Sequence, residues 1–140
     1  MRNTNEMEMM FDGKSINEGF ARVAVAAFMT QLNPTLEEVS DVKTAVSEAV
    51  TNAIIHGYEK ENRKIWIRCQ IENEMLYIEV EDHGVGIEDV QKAIQPLYTT
   101  KPECERSGMG FTVMECFMDS LQVESAKGRG TTVIMTKKLG

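Results

Sequence analysis

The chain has 140 residues, 42% of them hydrophobic and 26% charged, which suits one globular domain, 1–140, long enough to bury a core. A formal net charge of −7 argues against broad binding to nucleic acid or to anionic membrane, while leaving room for an anionic ligand in a locally basic pocket. The longest unbroken apolar run, Val23 to Met29, is far short of a bilayer span, and the opening MRNTNEMEMMF has no apolar core of signal-peptide type. Cys69, Cys104 and Cys116 are odd in number and widely spaced, with no CxxC pair, so reduced thiols in a cytoplasm are expected rather than disulfides or zinc ligands.

In chain order, residues 7–11 read as a short strand. SINEGFARVAVAAFMTQLN opens with Ser15 and Glu18 in capping-box spacing and continues as a helix to about Gln31. Phe20, Val23, Ala24, Ala27 and Phe28 make one apolar stripe of it; Arg22, Val25, Ala26 and Met29 make a second on the opposite side. Either this helix is buried on both sides, or the face centred on Arg22 meets a protein. Thr35 and Glu38 form a second capping box, and the next helix runs to Gly57 as its C-cap. In KIWIRCQIE the residues Ile65, Ile67, Cys69 and Ile71 alternate, as do Leu76, Ile78 and Val80 in EMLYIEVED, so a hairpin is expected. IEDVQKAIQ reads as a short helix, followed by the irregular PLYTTKPECERSGMG. A helix from about Phe111 to Asp119, a strand near 121–125, a KGRG turn and a strand 131–136 complete the chain. The expected fold is α+β, a two-layer sandwich with helices on one face of a mixed, mostly antiparallel sheet.

Three places carry chemistry. The first is EAVTNAIIHG, where Glu48, Asn52 and His56 interrupt an apolar helix every fourth residue. At about 100° per residue they share one face, opposite Val42, Val46, Ala49, Val50, Ala53 and Ile54. A solvated face would carry Lys and Glu pairs; here Ala45, Ala49 and Ala53 leave room for something to lie across the stripe. The second is Asp82, which continues the inward parity of Leu76, Ile78 and Val80. It either caps its own turn or meets a donor such as an exocyclic amine, with Gly84 and Gly86 allowing close approach of a flat ligand. The third is TTKPECERSGMGF. There Thr99, Thr100, Lys101, Arg106 and Ser107 precede Gly108, Met109 and Gly110 at a helix start, either as a surface loop or as an anion site. No P-loop pattern is present.

Taken in order, these boxes and the closing GRGTT resemble the GHKL (Bergerat) ATP-binding fold of gyrase-type ATPases, Hsp90-type chaperones and histidine kinases. The resemblance covers nearly the whole chain and implies ATP or ADP with Mg²⁺. Asn52 would hold the metal, Asp82 the adenine amine, and Gly84 and Gly86 would line the base. Residues 99–110 would form a lid over the phosphates, and Thr131 would close the adenine end. VSEAVTNAIIHGYE, QPLYTTKPECERSGMGFTVME and GTTVIMTKKL look most like the anti-sigma-F factors of spore-forming bacteria, a family of small serine protein kinases. The intact Thr-Thr-Lys and Ser-Gly-Met-Gly run favours this type over the anti-sigma-B type.

By that resemblance Glu48 faces the γ-phosphate and accepts a proton from an attacking hydroxyl, while His56 supports the pocket or touches the ligand. The resemblance also implies a cytoplasmic homodimer with its N-terminal helix near the interface, and Arg22 reaching a sigma factor or an antagonist. The phosphate acceptor would be a serine of an anti-anti-sigma protein. The alternative is a nucleotide-gated sigma-binding module that catalyses nothing; a pure binder would not need Glu48.

Overall fold

Alternating burial along each strand assembles the sheet. The computed structural model describes residues 3–57, 63–87, 89, 90 and 110–139. Among these are five strands, β1 (Thr4–Asp12), β2 (Lys64–Glu72), β3 (Met75–Asp82), β4 (Ser120–Ala126) and β5 (Gly130–Lys138), in the order β1-β2-β3-β5-β4. Every pairing is antiparallel, so the parallel component allowed for in a mixed sheet is not found among the described strands. The first strand is nine residues long, extending the expected 7–11 at both ends.

Ile65, Ile67, Cys69 and Ile71 of β2 and Leu76, Ile78 and Val80 of β3 are all buried, as their parity requires. Asn73 turns the β2–β3 hairpin with φ 57°, a left-handed conformation that Asn tolerates. Burial pushes the Cys69 thiol up to about 12, so it behaves as a small apolar side chain. Cys116, by contrast, is disulfide-bonded, which corrects the expectation of three reduced thiols; its partner lies outside the described residues.

Helices α1 (Ile16–Met29), α2 (Leu36–Asn52) and α3 (Phe111–Phe117) cover one face of the sheet. The capping box of α2 forms: the Thr35 hydroxyl accepts from the Glu38 amide at 3.1 Å, and Glu38 accepts from the Thr35 amide at 2.8 Å. The one expected at Ser15 does not. The chain reverses tightly after β1, with the Lys14 amide on Asp12 O and the Asn17 amide on Lys14 O, and this turns Ser15 itself into helical conformation. A cap needs an extended residue there, so the Ser15 side chain makes no capping bond. Glu18 instead pairs with Arg22 at 3.4 Å.

The two stripes of α1 have different fates. Val25 and Met29 are fully buried, whereas Phe20 is 59% and Val23 56% exposed. The stripe assigned to Arg22 is therefore largely core, and the open apolar surface is the other one. Helix α2 ends at Asn52, where a π turn, Ala53–Gly57, takes over from the expected continuous helix. Of the helix read from IEDVQKAIQ, residues 88 and 91–95 lie outside the described residues.

Candidate nucleotide-binding site

The inward polar residues converge at one end of the sandwich. Asn52 from α2, Asp82 from the end of β3, Gly86 from the loop that follows and Thr131 from β5 line a single cleft with Ala49, Ala53, Val80, Ile87, Phe111 and Val133. Six apolar walls and a few inward polar groups make a slot for a flat ring with polar edges.

Asp82 is 5% exposed, the one charged side chain buried among the described residues. Burial raises its carboxyl above the ordinary 3.8, while the backbone N–H groups of Gly84 and Thr131 pull the other way. The Gly84 amide donates to Oδ1 at 2.9 Å, so the turn-capping reading holds, and the residue also faces the cleft. Capping and ligand recognition are compatible because a carboxylate has about four lone-pair sites.

The loop after Asp82 is locked to the β4–β5 turn. The Gly128 amide donates to Val85 O at 2.6 Å, and the Ile87 amide donates to Ser125 Oγ at 2.7 Å. A Cβ on Gly86 would sit 2.0 Å from Ala126 O, and its φ of +76° is left-handed. Gly86→Ala is therefore expected to destabilise the fold by about 2 kcal/mol or more, from left-handed strain and overpacking together, as read by urea denaturation.

Glu48, half-buried one turn before Asn52, lies against the first residue of the α3 cap. A Cβ on Gly110 would come 2.3 Å from Glu48 Oε2, so the carboxylate lies against this backbone, whose φ of +70° favours glycine. The structure thus joins the helix stripe to the end of the Gly-x-Gly segment. Thr99, Thr100, Lys101, Arg106, Ser107, Gly108 and Met109 lie outside the described residues, as does the side chain of His56. The spacing that placed His56 on the stripe holds for an α-helix, and the π turn after Asn52 breaks that period; such turns are frequent at functional sites. Arg22 is not part of the cleft. It lines a separate groove between α1 and α2 with Leu36, Val39, Ser40, Lys43, Thr44 and Ser47.

Sequence reasoning missed Ser125. The signal was present: Leu121, Val123 and Ser125 share the less exposed parity of β4, as Val80 and Asp82 do on β3.

The family model described as a histidine kinase-like ATPase domain matches residues 16–137. An anti-sigma F factor from Clostridium acetobutylicum is 62% identical over 96% of this chain and 94% of its own. One from Clostridium kluyveri is 63% identical over 95% and 94%, and one from a Thermoanaerobacter species is 60% identical over 100% and 98%. The chain belongs to the anti-sigma F factor family of histidine kinase-like ATPase domains. The family's fold is the one found in a crystal structure of the RsbU and RsbW domains of a Mycobacterium tuberculosis protein. That match has a TM-score of 0.70 and 18% identity, over 96% of this chain and 32% of the other. A histidine kinase domain from Erythrobacter litoralis superposes with a TM-score of 0.54 at 18% identity, over 87% of this chain and 61% of the other. As an ATPase-type domain the family member is a nucleotide binder, and none of the described helices is long and apolar enough to cross a membrane.

Proposed function

We propose that this protein is a cytoplasmic anti-sigma factor that captures a sporulation sigma factor and uses ATP to phosphorylate a serine of an anti-anti-sigma protein. The observation that carries the kinase is the placement of Glu48. Its carboxylate lies against Gly110, at the end of the segment read as the phosphate lid, one turn from Asn52 in the cleft.

The residues present fit the nucleotide. Asp82 offers a buried acceptor to the 6-amino group, Gly86 and Thr131 line the cleft beside it, and Gly84, the other glycine expected at the base, supports Asp82 through its amide. Asn52 supplies a single hard oxygen from the helix. That suits Mg²⁺, which takes most of its ligands from phosphates and water, and when bound it would neutralise charge on those phosphates. Thr99, Thr100, Lys101, Arg106, Ser107, Gly108, Met109 and Gly110 are read as the lid over the phosphates. Glu48 takes the proton from the acceptor serine as that oxygen bonds to the γ-phosphorus and the bond to ADP breaks.

Partners attach through the helices. The exposed stripe of α1, with Phe20 and Val23, is the surface a second copy would cover in a homodimer. Arg22 reaches the sigma factor or its antagonist from the neighbouring groove. Arg22→Glu is expected to abolish capture of the sigma factor in a pull-down and to leave the melting temperature within a degree or two, because its ion pair with Glu18 is exposed and contributes little. A variant that melts far lower would assign Arg22 to the fold instead.

Incubation with γ-labelled ATP and candidate anti-anti-sigma proteins tests the whole reading. Label on a partner serine is the expected result. Capture of sigma factor that depends on nucleotide, with no label on any partner, would leave the binding module without kinase activity.

A further inference from the structure

Ser125 is a hydroxyl on an otherwise apolar inward parity, and three groups converge on it. Its Oγ accepts the Ile87 amide at 2.7 Å, lies 2.9 Å from Gly130 O and 2.8 Å from Thr131 Oγ1. A hydroxyl has one proton and two lone pairs. The amide can only donate and the carbonyl can only accept, so Ser125 gives its proton to Gly130 and one lone pair to Ile87. Its remaining lone pair is left for Thr131, whose own O–H must then be the donor. With that proton committed, Thr131 can offer the cleft only lone pairs.

Thr131 sits directly across the β3–β5 ladder from Asp82, and both line the cleft. The Asp82 carboxylate is likewise an acceptor. Two neighbouring acceptors match the two N–H bonds of a 6-amino purine and oppose the lone pairs of a 6-oxo purine. We propose that Ser125 is a positioning residue that fixes the Thr131 hydroxyl as an acceptor and thereby makes the cleft select 6-amino over 6-oxo purine nucleotides. The proposal rests on the reading of this cleft as the base site. Ser125 also ties the loop after Asp82 to the β4–β5 turn, so a fold role and a selectivity role must be separated by the readout.

The affinities of ATP and inosine triphosphate, measured by calorimetry, separate them. The wild type is expected to prefer ATP. Ser125→Ala frees the Thr131 hydroxyl to turn its proton into the cleft, and the ATP preference should narrow by about fivefold, the scale of one neutral hydrogen bond. Ser125→Thr keeps the hydroxyl and should retain the preference. In a Thr131→Val background, Ser125→Ala should leave the preference unchanged, since the group it orients is gone. A Ser125→Ala variant that weakens both nucleotides equally, or keeps the wild-type ratio, overturns the proposal. Should Ser125→Ala fail to fold, the other two variants decide: Thr131→Val must narrow the ratio and Ser125→Thr must not. A wild type that binds both nucleotides alike would instead bring down the base-site reading itself, a failure distinct from that of Ser125.

Discussion

Glu48→Gln is expected to lower phosphate transfer to the partner serine by at least about 100-fold, while ATP binding and sigma capture survive. A positioned base contributes about 10²–10⁴-fold, and phosphoryl transfer, which leans on positioning and charge neutralisation, belongs at the lower end. The substitution keeps the side chain's size, so its contact with Gly110 persists, and the cleft residues Asn52 and Asp82 are untouched. Single-turnover transfer from labelled ATP reads the chemical step, and calorimetry reads binding. Wild-type transfer by the Gln variant would remove Glu48 from the base role.

Asp82→Asn is expected to weaken ATP binding about 100-fold or more, which is close to 2.7 kcal/mol. The carboxylate offers acceptors only, whereas the amide must present a donor on one side, and a buried donor facing the base amine is left unpaired. Stability should behave differently from binding. Burial raises the Asp82 carboxyl above 3.8, so the folded state disfavours its charge. Stability therefore falls as pH rises from the unfolded value through the raised folded one. The Asn variant lacks this titration, so any advantage it has over the wild type should be largest at neutral pH and shrink as the wild type takes up its proton in acid. Equal ATP affinity for the two proteins would sink the assignment.

Much of this site was legible because its residues break a period. Asp82 stands out only because Leu76, Ile78 and Val80 set a parity of two, and the structure buries all four. The stripe on α2 was readable for the same reason with a period near four, and Asn52 does reach the cleft. Extrapolation stopped where the period itself changed. A π turn takes over after Asn52, so the α-helical step of about 100° no longer places His56, whose side chain lies outside the described residues. Ser15 failed for a different reason: capping-box spacing is a property of side chains, and the turn after β1 set the backbone first. The two faces of α1 were both apolar in sequence, and only the position of α2 and the sheet decides that Val25 goes inside and Val23 stays out. Ser125 shows the opposite error, a legible signal left unread.

The order of the strands also bears on how the protein assembles. β2 and β3 form one local hairpin and β4 and β5 another, and within the described sheet the two pair along the β3–β5 ladder. Asp82 and Thr131 face each other on that ladder, at the end where the cleft opens. The proposed base site is therefore a seam between two locally closing units, made by the long-range pairing that chain entropy makes slow. A nucleotide bound across the seam would act as a fastener, and at about 100 times its dissociation constant it would hold the native state by roughly 2.7 kcal/mol. Nucleotide supply would then govern how much of the chain survives in the cell, as well as what it does there.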